Sequence, residues 1–182
     1  DDDPDFYKDS LGICRQMTEE PLLFRLDLGN DPAENIGILM ENGCHFIIKR
    51  NLRKESKEDW LKMAEENSGD ISHPRDGKTV YIGSDWKEIT YRTEDGTEKR
   101  ATIRMGHEIT ERTMDQKGQF LLVPDIEVNT WWTNTDFTDR DVIAHYHAHG
   151  ECEQFHSELK TDMDLERLPS GKFQTNGLVL EL

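Results

Sequence analysis

One stretch near the end of the chain crowds together side chains that can do chemistry: His145, Tyr146, His147, His149, Cys152, Glu153, His156 and Lys160. At 100° per residue in a helix, Tyr146, His149, Glu153 and Lys160 fall within an arc of about 60°. Ala148, Phe155 and Leu159 lie on the face that would pack on a sheet, so the polar row runs along the margin of the buried stripe. There a carboxylate faces a cleft while its helix is held rigidly. His149 with Glu153 at i+4, and Glu153 with His156 at i+3, are also spacings that bind zinc or iron. A second acid, Asp27, ends the apolar run Pro21-Leu22-Leu23-Phe24-Arg25-Leu26, the pattern of a buried strand.

The elements that must position these two acids can be read from punctuation. After Asp27 comes Asp31-Pro32-Ala33-Glu34, in which Asp31 caps a helix, Pro32 takes its first position and Glu34 completes a capping-box spacing. The helix is expected to run through Ile36 and Leu39 and to stop at Gly43. Cys44-His45-Phe46-Ile47-Ile48-Lys49 reads as a second strand. Two strands joined by a helix are normally parallel, which puts Asp27 at the carboxyl edge of an open α/β sheet, where such sheets place ligands. A short helix over 58–66 and a loop over 67–77 follow. Strand-like runs at 79–82, 88–91, 101–104, 120–123 and 128–132 are separated by turns such as Glu94-Asp95-Gly96 and Gln116-Lys117-Gly118. The stretch 56–136 is therefore expected to be an antiparallel β insertion. A long helix is expected to open at Thr138, with Asp141 as its capping partner, and to continue to about Asp164 past a weak point at Gly150.

Composition narrows the function classes. The chain has 182 residues, 34% hydrophobic and 33% charged, with seven Phe and four Trp, enough for one domain with a real core. Its net charge of −16 excludes general DNA binding by the surface as a whole, so any DNA contact must be local. The basic cluster Lys49-Arg50-Asn51-Leu52-Arg53-Lys54 is the place for it, set against the ordinary reading of a solvated surface. No apolar run approaches the roughly 20 residues that cross a bilayer, and the acidic start is unlike a signal peptide, so no membrane association and a cytoplasmic location are expected. Cys14, Cys44 and Cys152 are too dispersed for a disulfide framework and read as reduced thiols.

The helix reading Tyr146-His147-Ala148-His149-Gly150-Glu151-Cys152-Glu153, continued by Gln154-Phe155-His156-Ser157-Glu158-Leu159-Lys160, resembles the signature helix of bacterial DDE transposases of the insertion-sequence 4 type. Leu22 to Asp31, Phe46 to Arg53 and Lys172-Phe173-Gln174-Thr175-Asn176 resemble segments of the 1380 family of insertion-sequence transposases. The resemblance implies an RNase H-like core in which two strand aspartates and one helix glutamate hold two divalent metals, Mg²⁺ or Mn²⁺. Carboxylates about 4 Å apart repel by roughly 4 kcal/mol at an effective dielectric near 20, so cations between them keep both ionised. It divides the chain into a partial core with the second aspartate (1–55), a β-rich insertion (56–136) and the glutamate helix with the start of a following one (137–182).

By the same likeness, Asp27 and Glu153 would be the catalytic metal ligands, and Tyr146 and Lys160 would hold DNA phosphate. Lys49, Arg50 and Arg53 would contact the backbone. His149 stands where the family has Arg and lacks its bidentate phosphate contact. Transposon-end DNA and, in a full-length protein, a homodimer are the implied partners. The family's first aspartate would lie upstream of these residues, so the polypeptide alone is expected to be inactive in cleavage and strand transfer. Trp131-Trp132 are either sheet packing or, for one ring, a stacking platform for an unpaired base. The rival readings are a zinc- or iron-binding protein built on the His/Cys/Glu helix and a noncatalytic interaction module.

Overall fold

The computed structural model describes residues 4–27, 32–93 and 95–148. It divides into two units, Asp1–Ala144 and His145–Leu182. The described part of the second unit is the last turn of a helix and Ala148.

The first unit is a mixed α/β body around one six-stranded sheet. In chain order the elements are α1 (Pro4–Met17), β1 (Leu23–Leu26), α2 (Ala33–Glu41), β2 (His45–Lys49), α3 (Lys57–Asn67), β3 (Asp70–Arg75), β4 (Lys78–Arg92), β5 (Glu98–Met114), β6 (Phe120–Thr133) and α4 (Asp139–His147), of which α4 belongs to the first unit only up to Ala144. The strand order is β1-β2-β6-β5-β4-β3. β1 and β2 are parallel, with Leu23 opposite His45 and Leu26 opposite Ile48, as the strand-helix-strand reading requires. All other pairs are antiparallel, and β2 is welded to β6 by Ile47 opposite Thr133, Ile48 opposite Trp132 and Lys49 opposite Trp131.

Several boundaries differ from those expected. The helix after β1 starts at Ala33 with Pro32 at its N-cap and no side-chain cap hydrogen bond among the described residues, and the expected cap, Asp31, lies outside them. Its other end behaves as foreseen, with Gly43 at a φ of +62°, in the left-handed region that Gly enters without steric cost. The expected loop over 67–77 contains β3, whose Pro74 is tolerated because this strand lies at the sheet edge. The two runs at 79–82 and 88–91 are one 15-residue strand, β4, and the run at 101–104 belongs to a 17-residue strand, β5. Those at 120–123 and 128–132 both belong to β6. Helix α1 is an element the punctuation does not announce.

Period-2 alternation sorts the faces. Phe46 and Ile48 join Tyr7, Leu11, Ile36, Leu39, Cys44 and Ile103 in one core, with Phe24 and Leu26 packed against it. Ala64, Tyr81, Ile109 and Val128 form a second core, against which Trp60, Leu61 and Met63 of α3 pack. Ile103 and Ile109 have the same parity on β5, so α1, α2 and α3 all cover one face. The opposite face receives α4: Arg104 Nη2 donates to the Phe137 carbonyl at 2.6 Å, Arg104 pairs with Asp139 at 3.6 Å, and Ser84 donates to Asp139 at 3.1 Å. Thr138 caps α4 as expected, accepting from the Asp141 N–H at 3.2 Å and donating to its carboxylate. The expected continuation of this helix to Asp164 lies outside the described residues. Among the described residues, no helix is long and apolar enough to cross a membrane.

Candidate functional site

Asp27 follows the last residue of β1 and is exposed. Since Leu22, Phe24 and Leu26 turn toward the α1/α2 core, alternation turns Asp27 to the other face. The parallel register that sets Leu26 opposite Ile48 brings Lys49 alongside Asp27. Both sit on the face that receives the first turn of α4.

Lys49 is not a free surface cation. Its Nζ donates to Asn129 Oδ1 at 2.6 Å and lies 5.1 Å from the centre of the Trp131 ring. Partial burial pulls its pKa down, while Asp27, then Glu127 and Glu108, push it up. Burial is the larger effect, so this ammonium is held at a desolvation cost that the surrounding carboxylates only partly offset. Glu127 is itself held below the usual carboxylate range, chiefly by hydrogen bonds from Arg112, whose Nη2 lies 2.6 Å from it.

Arg50 turns the other way. Its Nη1 donates to Glu55 at 3.0 Å, its Nη2 bonds the other carboxylate oxygen, and its guanidinium lies 5.4 Å from the centre of the Trp132 ring. Trp60 Nε1 donates to the same Glu55 at 2.9 Å. These groups border a cleft of about 700 Å³ that is also lined by Lys54, Asp85 and Lys87. Arg53 is exposed on the loop before α3 with φ +54°, its N–H donating to Asn51 Oδ1 at 2.9 Å. The basic cluster thus splits: Lys49 points to the Asp27 face, Arg50 and Lys54 line the α3 cleft, and Arg53 is exposed beside it.

Of the two tryptophans, Trp131 is 0% exposed, so its ring offers no surface to a base in this arrangement. Trp132 is half-buried beside the α1/α2 core and borders the cleft under Arg50. Of the two rings, Trp131 matches the sheet-packing alternative and only Trp132 presents exposed surface.

No protein-family model matches the chain, and no curated protein matches it. The reading of the site thus rests on its own residues.

In the second unit, Tyr146 is half-buried and its ring meets that of His147 edge-on at 6.0 Å. His149, Glu153 and Lys160 lie outside the described residues. Among the described residues no group of three or more His, Cys, Asp or Glu side chains is placed to hold a metal ion. Asp27 suits one oxygen ligand of a hard divalent ion, being an exposed carboxylate at a strand edge. Asn129 and Glu55, which hold Lys49 and Arg50, are the residues around the candidate site that sequence reasoning missed. Glu55 is five positions from its partner and lies next to the basic cluster, a visible signal; Asn129 is 80 positions from Lys49 and gives none.

Proposed function

We propose that the chain is part of a DDE-type transposase whose RNase H-like core brings Asp27 and Glu153 to one divalent-metal centre, with transposon-end DNA as substrate and a homodimer as the working assembly of the full-length protein. One observation carries this reading. Asp27 lies at the carboxyl edge of a parallel strand pair, on the same sheet face as the first turn of α4, and the sequence that the resemblance reads as the glutamate helix follows α4 in the chain. A strand acid and a helix acid separated by a β insertion are what metal-dependent phosphoryl transfer on DNA needs: carboxylate ligands fixed on rigid elements, and basic groups beside them for phosphate. Mg²⁺ or Mn²⁺ bound there would activate a water or a DNA 3′-hydroxyl and stabilise the leaving oxygen. Tyr146, Lys160 and the solvent-facing Arg53 are assigned to the phosphates, His149 to the position beside them, and Trp132 to the unpaired base.

The test is whether the two acids share an ion. Mn²⁺ is titrated into the protein while line broadening of the Leu26 and Lys49 amide signals is followed. Asp27→Asn and Glu153→Gln are each expected to weaken the broadening by a similar factor, and the double variant by no more than either, as for groups acting as a unit. Broadening at Leu26 that is unchanged in Glu153→Gln would remove the shared centre and with it the proposal.

A further inference from the structure

We infer that the apolar run Phe120 to Val123, at the far end of β6, is a docking surface for a second copy of this chain, the two runs meeting antiparallel about a two-fold axis. The ladder fails locally there. β6 pairs with β5 at Asp125, opposite Arg112, and again at Phe120, opposite Met114. Between those pairs one residue of β5, Thr113, stands against four of β6, Leu121 to Pro124, and the Thr113 N–H already donates to the Gly77 carbonyl at 2.8 Å. On the other edge of β6, β2 reaches only Trp131 to Thr133. Among the described residues, Leu121 to Pro124 therefore have a strand partner on neither side. Their side chains are uncovered as well: Phe120 is 77%, Leu121 36%, Leu122 105% and Val123 76% exposed. Consecutive exposed apolar residues on a strand edge without a ladder partner are what strand addition between chains uses.

Three features select a second copy as the occupant. The first is area. Together these four residues expose roughly 600 Å² on each copy, so covering both runs removes about 1,200 Å² from water, the area at which specific interfaces begin. The second is charge. Antiparallel pairing centred on Leu121 and Leu122 carries Lys117, at the tip of one ribbon, alongside Asp125 of the other, and symmetry repeats the contact. Lys117 is exposed, and Asp125, though paired with Arg112 at 2.9 Å, keeps a side chain that is 59% exposed. The third is closure. Pro124 has no N–H to donate, so strand addition ends after this short run, and a two-fold contact uses up the surface on both copies instead of propagating. Each copy folds around its own cores, so the contact joins folded protomers. It stands whatever the role of Asp27.

Sedimentation equilibrium of the full chain tests the pairing. The wild type is expected to pass from one copy to two with a dissociation constant on the order of 10 µM, since interfaces at the small end of the range are weak. Leu122→Ser, at a site fully exposed in the protomer, keeps the fold and should raise that constant at least about tenfold. Lys117→Asp and Asp125→Lys should each weaken the dimer by about fivefold, and the two exchanges in one chain should restore it by recreating both ion pairs. A double exchange that restores nothing would overturn the antiparallel arrangement. A wild type that remains a single copy about tenfold above the expected constant, open-ended oligomers in place of a dimer, or a dimer that Leu122→Ser leaves unchanged would overturn the docking surface. A single-copy wild type that sediments with phosphatidylcholine vesicles, and loses this in Leu122→Ser, would overturn it too and give the run to a lipid surface.

Discussion

The two ends of the sheet solve opposite problems. At the parallel end, β2 is five residues long, and Phe46, Ile47 and Ile48 are all 0% exposed, covered on both faces. At the far end of β6, Phe120, Leu122 and Val123 are 77%, 105% and 76% exposed, and the ladder to β5 slips between Arg112 and Met114. A parallel pair needs cover on both faces and supplies a rigid edge for Asp27, whereas an antiparallel ribbon holds itself by its ladder and can project. The junction between them, Ile47 to Lys49 against Trp131 to Thr133, is also where Lys49 and Arg50 diverge. The candidate site therefore sits at the buried end of β6, the opposite end of that strand from the exposed Phe120 to Val123.

The largest effect should come from emptying the parallel end. Phe46→Ala removes a ring that packs with Tyr7, Leu39 and Ile103, and should cost about 3–5 kcal/mol in urea unfolding. A loss under about 1 kcal/mol would mean that the two ends differ in exposure but not in energetic weight.

Next is the contact that ties the far reaches of β4 to α2. Gly37 lies on the helix face against which the Tyr91 ring packs, so closely that a Cβ at Gly37 would overlap Cδ2 of that ring. Gly37→Ala gains intrinsic helix propensity of about 1 kcal/mol, yet overpacking typically costs about 1–3 kcal/mol. The ring is buried and its hydroxyl donates to Glu41 at 2.9 Å, so it cannot simply step aside. Net destabilisation is expected in thermal melts, and a more stable variant would show that the hairpin does not lean on α2.

The parallel unit was legible because its code is local: an apolar run, Pro32, a helical period and Gly43 follow one another within thirty residues. The length of the ribbon strands was not. In β5 the inward set Ile103, Met105, His107 and Ile109 keeps period 2, but Gly106 and the charged outward residues disguise it. β3 carries Ser72, His73 and Pro74, residues that propensity assigns to loops, and exists because β4 offers it an edge. Asp27 could be placed from its strand alone. The inward turn of Lys49 could not, since Asn129 and Trp131 reach it only through strand pairing, which no sequence interval reveals.

A smaller, conditional effect separates the α3-covered middle of the sheet from both ends. His107 is 2% exposed, packs at 6.0 Å on Trp60 and lies 3.4 Å from Ser68 Oγ, with its Nδ1 unpartnered. Burial pushes its pKa below 6.5, against smaller upward pulls from Asp85 and Asp139. The unfolded chain therefore takes up the proton first as pH falls. Stability from this group is fully present above about pH 6.5 and declines below it until the folded pKa is passed. His107→Gln should flatten that part of the pH profile relative to wild type. An unchanged slope would assign the acid sensitivity to other groups.

The smallest effect is expected where exposure is greatest. Leu122 is as exposed as in an extended chain, so Leu122→Ser removes no buried area and should change unfolding free energy by no more than about 0.5 kcal/mol. Exposed apolar residues on a strand lower solubility instead, and the variant should stay monodisperse to higher concentration in light scattering. Pro124, two positions on, already blunts this strand by removing an N–H that a neighbour's carbonyl would accept. If Leu122→Ser destabilised the fold as much as Phe46→Ala, the ribbon end would have to be packed in solution, and the contrast between the two ends of the sheet would vanish.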